Sequence, residues 1–388
     1  LFILKKGTIY LKLPIMHSGH GGNIQEVCSS YGLEPGGLLD FSANINPLGY
    51  PPALSKALRE GLSSILHYPD INCTSLRRAI CQKTRHKEEE VLIGNGSTEL
   101  MYLIPRAFRP QKGLVFEPTY SEYGRALRLA GANVEKLVST GDTSFRPDLG
   151  SASGRTGVLQ YAPTGGQSQM VFLCNPNNPT GNLIKKEEIL ALAEGLPQSL
   201  IVVDEAFMDF VDEPHKYTVL PEAGRVKNLI VLRSMTKFFG YPGLRLGYMV
   251  AHREVISQAE GHKEPWTVNA LAQLAGEAAL KDEDFIFRSR EYVASEKSFL
   301  YRELSRLGGI NPIPPTVNFI TSRITLEGLT SAGLKEMLIR KGLLIRDCSN
   351  FPGLDDKYFR VAVRRREENL LLLQALGTVL SEKTGARD

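Results

Sequence analysis

Short apolar runs alternate with longer amphipathic stretches between about residues 91 and 250. The runs end in Gly, Asn, Asp or Pro, and the stretches between them have helical spacing. This alternation predicts strand-helix units of a mainly parallel sheet. The predicted strands are 91–93, 114–116, 170–173, 200–203, 229–232 and 246–250. Ligands bind such sheets at the carboxyl ends of the strands, so we expect candidate site residues just after these runs.

The pattern changes after Trp266, where the chain becomes mostly helical to about Leu307. Three short strands, 317–321, 343–345 and 358–363, then precede a final amphipathic helix. This order is typical of an α+β unit. Residues 141–169 are rich in Gly, Ser, Thr and Pro, which predicts a long surface loop or irregular insertion.

At 388 residues the chain is too long for one small core. The sequence predicts an α/β fold, with a large domain whose mainly parallel mixed sheet is flanked by helices, and a smaller α+β domain. We assign residues 1–60 to an N-terminal segment that joins the small domain, residues 61–285 to the large cofactor-binding domain, and residues 286–388 to the small C-terminal domain.

Composition narrows the functional classes. With 42% hydrophobic and 23% charged residues, the chain is typical of a soluble globular protein. The net charge is +4, from 46 basic and 42 acidic residues without a basic block, so we expect no nucleic-acid or membrane partner. Five dispersed cysteines without a CxxC pair predict no disulfide framework, no metal site and a cytoplasmic setting. The first 16 residues are interpreted as an extension, too briefly apolar to span a membrane.

Lys237 is the strongest chemical candidate. It ends the segment Ser234-Met-Thr236-Lys, which follows a predicted strand and precedes FFGYPGLRLG at 238–247. A lysine amine forms a Schiff base with a carbonyl cofactor once desolvation or nearby cations deprotonate it. Ser234, Thr236 and Arg245 would hold a phosphate beside that amine. A lone lysine would instead be interpreted as a solvated surface residue.

Two further segments suit the same cofactor. Asp204 ends an apolar run and could pair with a protonated pyridine nitrogen, although an aspartate there also suits a helix cap or turn. Gly96, Ser97 and Thr98 lie between a strand and an amphipathic stretch, where backbone N–H groups bind phosphate. A simple helix cap is the alternative for this segment.

Asn178 and Tyr120 complete the predicted cofactor contacts. Asn178 lies in NPNNPTG at 175–181, where two prolines fix the backbone and its amide could donate to a phenolic oxygen. Tyr120 follows a strand end and could stack on a flat ring. A tight turn and ordinary aromatic packing are the respective alternatives.

Taken in order, these motifs resemble the class I and II aminotransferase-type proteins of pyridoxal-phosphate fold type I. The resemblance covers roughly residues 19 to 364, and the combination of NPNNPTG, DEA and SMTKxxGYPGLRLG is specific. It implies pyridoxal 5′-phosphate as cofactor, with Lys237 and Asp204 as catalytic residues.

Within that group the chain resembles the L-threonine-O-3-phosphate decarboxylases of cobalamin synthesis, with the histidinol-phosphate aminotransferases next. The features that carry this are HGGN at 20–23, DFSANINPLG at 40–49 and RDCSNFPGLD at 346–355. The resemblance implies that His20, Gly21 and Asn44 line the substrate site, with Asn178 also contributing. It further implies that Arg346 and Arg360 bind the anionic groups, although surface pairs with Asp347 or Asp355 are the alternative.

Phe207 and Tyr68 extend the resemblance. Many aminotransferases have a tyrosine at the position of Phe207, whereas the decarboxylases resemble this chain in having a phenylalanine. Tyr68 matches a tyrosine that reaches the cofactor phosphate of the neighbouring subunit, which implies a homodimer. A turn aromatic before Pro69 is the alternative for Tyr68.

The expected reaction is therefore decarboxylation of a small phosphorylated amino acid, L-threonine O-3-phosphate, to (R)-1-amino-2-propanol O-2-phosphate for the cobalamin nucleotide loop. L-Serine O-phosphate, which would give ethanolamine phosphate, differs by one methyl group, worth only ~1–3 kcal/mol of discrimination. Histidinol-phosphate transamination is a second alternative. A non-catalytic aminotransferase-like regulator is the third, although the chain shows no helix-turn-helix at its N-terminal end.

Overall fold

A computed structural model of the chain describes residues 2–5, 8–11, 19–152 and 169–384. Its strands β1 to β15 are Phe2–Lys5, Thr8–Leu11, Leu39–Asp40, Val91–Gly94, Lys112–Glu117, Asn133–Val138, Gln169–Cys174, Ser199–Asp204, Leu229–Ser234, Gly247–Ala251, Ile310–Pro312, Phe319–Ile324, Leu343–Leu344, Arg346–Asp347 and Tyr358–Ala362. Its helices α1 to α13 are Ile24–Tyr31, Pro52–Gly61, Thr74–Thr84, Gly96–Phe108, Glu122–Leu129, Leu149–Ala152, Lys186–Gly195, Met235–Phe238, Arg253–Glu260, Ala270–Lys281, Glu283–Leu304, Ser331–Ile339 and Arg366–Thr384.

A seven-stranded sheet with the order β4-β10-β9-β8-β7-β5-β6 forms the centre of the molecule. Within it only β10 runs antiparallel to its neighbours, β4 and β9. Strands β7, β8 and β9 are buried along almost their whole length, as expected for apolar runs covered on both faces. The predicted mainly parallel mixed sheet is therefore confirmed.

Helices cover both faces of this sheet. On one face α4, α5 and α9 pack with alternate strand residues such as Phe172 and Val202 into one core. On the other face α3, α7 and α10 pack with Val171 and Ile201 into a larger core. The two cores come from successive residues of the same strands because side chains alternate between the faces. This layering confirms the α/β fold class.

A second sheet with the order β11-β12-β15-β14 is wholly antiparallel and packs with α11, α12 and α13. The short strand β3 pairs in parallel with β13, which attaches the segment around Leu39 to this second unit. The division at residues 60 and 285 stays a prediction. Helix α11 runs across the second of these positions.

Strand bounds in this second unit differ from the sequence prediction. The strand predicted at 317–321 begins at Phe319 and continues to Ile324, because Val317 and Asn318 form a bend. The strand predicted at 343–345 divides in two: β13 pairs with β3, whereas β14 pairs with β15. Strand β6 at the edge of the large sheet was not predicted.

Two predicted segments lie partly outside the described residues. For 141–169, residues 153–168 are not described, and the remainder contains α6 and the first residue of β7. Of the first 16 residues, only β1 and β2 are described, and these pair with each other in antiparallel fashion. None of the helices in the described ranges is both long and apolar enough to traverse a bilayer.

Candidate active site

The carboxyl edge of the large sheet opens into a cavity of about 360 Å³. Most of the predicted site residues line this cavity: His20, Gly21, Asn44, Ser97, Thr98, Tyr120, Asn178, Asp204, Phe207, Ser234, Thr236, Lys237, Arg245, Arg346 and Arg360. They come from separate elements that end at the same sheet edge or from the second unit facing it. Gly96 and Tyr68 do not line the cavity.

Lys237 lies in the short helix α8, directly after the carboxyl end of β9. Ser234 caps this helix by accepting from the N–H of Thr236, and the Lys237 carbonyl accepts from Asn46 N at 3.0 Å. Desolvation, together with the nearby guanidinium groups of Arg360 and Arg245, lowers the pKa of Lys237 to about 8. A substantial share of neutral amine at mild pH is what a Schiff-base lysine requires.

Asp204 ends β8 and is buried. Its Oδ2 accepts from the hydroxyl of Tyr123 at 2.8 Å and its Oδ1 accepts from Ala206 N at 3.0 Å. Burial raises the pKa of Asp204, while these two hydrogen bonds oppose that rise. A buried carboxylate held in this way suits a cationic ring nitrogen, which would stabilise its ionised form.

One end of the cavity is built for a phosphate. Helix α4 begins at Gly96 and presents Ser97 and Thr98, while Ser234 and Thr236 hydroxyls lie 2.7 Å apart. Gly96 has a φ of +76°, and a Cβ there would lie 2.7 Å from Nη2 of Arg245. Only glycine therefore allows the guanidinium to lie against the helix start, where N–H groups and a cation converge.

Arg360, on β15, is buried and lines the same cavity. It donates to Oδ1 of Asn178 and, at 3.0 Å, to the carbonyl of Ser42, and it lies 5.1 Å above the ring of Phe319. Burial lowers the pKa of Arg360 to about 10, so it remains cationic at neutral pH. Its Nε is buried without a hydrogen-bond partner among the described residues, which leaves one donor for an anion.

Arg346, on β14, lies beside Arg360 across the strand pair. Its Nη2 donates to Asn350 at 2.8 Å and its guanidinium lies 5.0 Å from the ring of Phe351. The Asp347 carboxylate instead accepts from Ser331 at 2.5 Å. Within the described ranges, neither arginine forms the surface ion pair that the sequence left open.

The N-terminal segment closes the cavity from outside. A Cβ on Gly21 would lie 2.2 Å from the Ser42 carbonyl, so only glycine fits this approach. Asn44 is 3% exposed and its Oδ1 has no hydrogen-bond partner in the described part of the chain. His20 Nε2 lies 3.0 Å from Oε1 of Glu122.

Several residues that line the cavity or contact its lining residues were missed by sequence reasoning. Tyr123 holds Asp204, Glu122 contacts His20, and Asn350 and Phe351 flank Arg346. For Tyr123 a partial signal existed, because it lies three residues after the predicted site residue Tyr120, against whose ring it packs at 5.6 Å. The others depend on contacts between distant parts of the chain, which no local pattern reports.

Tyr68 is 82% exposed and its ring lies 5.0 Å from that of Trp266. Within one chain it does not reach the cavity. Its predicted role across a subunit interface therefore stays a prediction.

The donors in the cavity fit pyridoxal 5′-phosphate. Lys237 supplies an amine for the aldehyde, Asp204 a carboxylate for the ring nitrogen, and the hydroxyl and guanidinium groups around Gly96 a phosphate cradle that a Cβ would fill. No cluster of metal-ligating side chains occurs among residues 19–152 and 169–384 or the two described N-terminal strands.

Two curated relatives resemble the chain over nearly its whole length. The threonine-phosphate decarboxylase of Salmonella typhimurium is 36% identical over 95% of this chain and 98% of its own. An adenosylcobalamin biosynthesis bifunctional protein of Leptospira interrogans is 34% identical over 93% of this chain and 41% of its own length.

Solved structures agree with this likeness. The histidinol-phosphate aminotransferase of Clostridium acetobutylicum has a TM-score of 0.80 at 30% identity, covering 89% of this chain and 100% of its own. The L-threonine-O-3-phosphate decarboxylase of Porphyromonas gingivalis has a TM-score of 0.76 at 30% identity, covering 88% and 99%. The family model described as aminotransferase class I and II matches residues 37–376, and the chain therefore belongs to that family.

Proposed function

We propose that the chain is a pyridoxal 5′-phosphate-dependent decarboxylase that converts L-threonine O-3-phosphate to (R)-1-amino-2-propanol O-2-phosphate. The decarboxylase from Salmonella typhimurium, 36% identical over 95% of this chain, supports this reaction. The relative named for adenosylcobalamin biosynthesis supports a role for the product as the cobalamin linker.

The observation that carries the proposal is a pair of arginines in the cavity, Arg346 and Arg360, in addition to the arginine of the phosphate cradle. Arg245 belongs to the cradle around Gly96, whereas Arg346 and Arg360, on β14 and β15, and His20, before α1, line the same cavity from the second unit and the N-terminal segment. A substrate with both a carboxylate and a phosphate needs several charged donors beyond those that hold the cofactor. Arg346 and Arg360 lie on strands, and His20 lies in the closely packed segment before α1, so the positions of these donors are fixed.

The bound cofactor supplies an electron sink for the bond that breaks at Cα of the substrate. Arg360 would orient the substrate carboxylate near the reacting carbon. Its buried guanidinium lies close enough to Lys237 to lower the pKa of that amine. By fixing the substrate carboxylate, Arg360 would favour loss of carbon dioxide over loss of the Cα proton. Lys237 Nζ then donates a proton to Cα.

Phe207 contributes to the aromatic surface beneath Arg360. It is 5% exposed and its ring packs edge-on against Phe319 at 5.2 Å, while Phe319 lies under Arg360. Phe207 has no hydroxyl to offer the cofactor, so its contribution is to support the aromatic surface on which this arginine rests.

The test is to incubate the cofactor-loaded protein separately with L-threonine O-3-phosphate, L-serine O-phosphate, and histidinol phosphate plus 2-oxoglutarate. We expect carbon dioxide and aminopropanol phosphate from the first substrate, and no product from a Lys237→Ala control. Absence of carbon dioxide from both phosphorylated amino acids would overturn the proposed reaction. Dominant release from the serine compound would change the substrate and keep the reaction class.

Histidinol-phosphate transamination is the second candidate, because the aminotransferase structure from Clostridium acetobutylicum has a TM-score of 0.80 at 30% identity. This candidate predicts glutamate formation from histidinol phosphate and 2-oxoglutarate. Glutamate without carbon dioxide would establish it in place of the decarboxylase.

We also propose that the protein acts as a homodimer in which Tyr68 reaches the partner's cavity. Five large apolar side chains within ten residues are exposed: Leu62, Ile65, Leu66, Tyr68 and Ile71. Trp266, against which Tyr68 packs, is also exposed. A concentrated apolar patch of this kind favours burial against a second copy.

A further inference from the structure

Glu122 lies at the start of α5 and joins the large sheet to the N-terminal segment. Its side chain is buried, with Oε1 3.0 Å from Nε2 of His20. The hydroxyl of Tyr102 and, at 3.1 Å, Nη1 of Arg125 donate to Oε2. Tyr102 and Arg125 therefore fix the position of the carboxylate independently of its contact with His20.

The charge on Glu122 is maintained by these partners. Burial by itself would raise the pKa of Glu122, but hydrogen bonds from Tyr102, Arg125 and His20 bring the net shift below the ordinary value for glutamate. Arg125 also donates to the Tyr102 hydroxyl at 3.1 Å, so the two donors support each other. The carboxylate is thus ionised at neutral pH and offers His20 a negative charge.

His20 is a side chain that needs such an anchor. It lies on a segment preceding α1, with its ring 5.5 Å from that of Tyr120 and its side chain 36% exposed. Glu122 takes one ring nitrogen, which leaves Nδ1 without a hydrogen-bond partner among the described residues. Because Glu122 holds Nε2, the direction in which Nδ1 points is fixed as well.

We infer that Glu122 is a positioning residue for substrate binding: it fixes the His20 ring over the cavity, where the second ring nitrogen contacts the phosphate of the substrate. This inference rests on the proposed function in that the anion is a phosphorylated amino acid. The carboxylate of the substrate lies with the amine beside Lys237 and Arg360. Its phosphate, several bonds away, falls to the partly exposed side of the cavity where His20 lies.

The first turn of α5 explains why one element would serve both ends of the site. Glu122 and Tyr123 are adjacent in sequence, and a helix directs adjacent side chains to different sides. Tyr123 holds Asp204 on the cofactor side, while Glu122 holds His20 on the substrate side. A merely structural Glu122 would affect both; a positioning Glu122 affects substrate binding alone.

The test compares Glu122→Gln, His20→Gln and the double variant as cofactor-loaded proteins, with Glu188→Gln as a control for the same change in charge. Glu188 pairs with Arg146 and does not line the cavity. For carbon dioxide release from L-threonine O-3-phosphate, we expect Glu122→Gln to raise KM about 10-fold or more, the scale of a lost charge-assisted hydrogen bond. The turnover number, the cofactor absorbance and the melting temperature should stay close to those of the parent.

The double variant tests whether Glu122 acts through His20. If it does, the double variant has a KM no higher than the worse single variant, since the second change removes nothing further. Glu122→Asp, which keeps the charge, should recover part of the loss. Independent effects that multiply, an unchanged KM in either single variant, or a loss confined to turnover would each overturn the inference.

Equilibrium binding of inorganic phosphate to the cofactor-loaded protein separates this inference from the proposed reaction. The cofactor's own phosphate occupies the cradle around Gly96, so added phosphate reports on the substrate side. If no carbon dioxide is released by the parent, the proposed reaction fails, yet weaker phosphate binding by Glu122→Gln and His20→Gln would still support the inference. Equal phosphate affinity in parent and both variants would overturn it.

Discussion

Lys237 lies among groups of opposite charge, and their balance sets the behaviour of its amine. Burial and the guanidinium groups of Arg360 and Arg245 disfavour the ammonium form, whereas Asp204 and Asp40 favour it. The result is a pKa of about 8 rather than the ordinary value of 10.5. Arg360, which we assign to the substrate carboxylate, thus also lowers the pKa of Lys237 in the substrate-free protein.

The first prediction concerns cofactor uptake by the cofactor-free protein. Only the neutral amine attacks the aldehyde, so the uptake rate should rise with pH and pass its midpoint near pH 8. In Arg360→Gln a nearby cation is lost, the ammonium form is less disfavoured, and the midpoint should move to higher pH. Absorbance after rapid mixing measures the rate at each pH.

Arg364→Gln is the matched control for that experiment. Arg364 donates to the carbonyl of Asp40 and to Glu368, and it does not line the cavity. Its removal should leave the midpoint unchanged. A midpoint that falls in Arg360→Gln, or moves equally in both variants, would contradict the charge balance described for Lys237.

Residues beside strand ends were predictable from sequence, whereas their partners from elsewhere were not. Lys237 and Asp204 each follow a recognisable apolar run, so a local pattern marks them. The role proposed for Glu122 depends on its contact with His20, which lies 102 residues away in the chain. Such contacts are set by tertiary packing, and a single sequence carries no local signal for them.

Strand β10 shows how closely the elements approach around the phosphate cradle. Gly247, its first residue, lies opposite both Gly94 of β4 and Ser234 of β9. A Cβ at Gly247 would lie 2.3 Å from Ser97 N and 2.9 Å from the Arg233 carbonyl. Both neighbours are backbone atoms of packed elements, so neither can move aside cheaply.

The second prediction is that Gly247→Ala destabilises the protein by about 1–3 kcal/mol, the usual scale of overpacking, and also weakens cofactor binding. The second effect follows because the displaced atom, Ser97 N, belongs to the helix start that meets the phosphate. Urea unfolding and equilibrium titration with the cofactor measure the two effects.

Gly243→Ala provides the comparison, since a Cβ at Gly243 would meet no heavy atom within 4 Å. This variant should match the parent in unfolding free energy and in cofactor affinity. Equal stability of the two alanine variants would show that the sheet yields at Gly247 more readily than its backbone neighbours indicate.

Buried strands were predicted well because continuous apolar runs identify them. Strand β6 was missed since it lies at the sheet edge, where Asn133, Glu135 and Lys136 interrupt the apolar pattern. The run at 343–345 was apolar throughout, yet it divides between two partners. Pairing depends on which strand lies alongside, and that information is spread over the whole chain.

At the scale of the whole molecule, the exposed apolar patch from Leu62 to Ile71 is the main feature that a single chain leaves unburied. Leu66 is 78% exposed and Ile65 is 60% exposed. These values are costly for an isolated molecule in water, and they support the proposed subunit interface.

The third prediction is that Leu66→Asp converts the proposed dimer to a monomer and lowers activity, because Tyr68 no longer reaches the partner's cavity. Leu129→Asp is the control, since Leu129 is 69% exposed on α5 and lies outside the patch. Light scattering after size exclusion measures the mass of each variant. A parent protein that is monomeric at micromolar concentration would contradict the proposed assembly.

The antiparallel direction of β10 determines where in the large sheet a connection between strands can gain or lose residues. Parallel neighbours are joined by crossovers of a dozen or more residues, and these can gain or lose residues at a distance from the site. Residues 235–246, between β9 and β10, instead return along the same edge and carry both Lys237 and Arg245. A single insertion or deletion there would change the spacing between the amine and the guanidinium, so this connection should be the least able to vary in length.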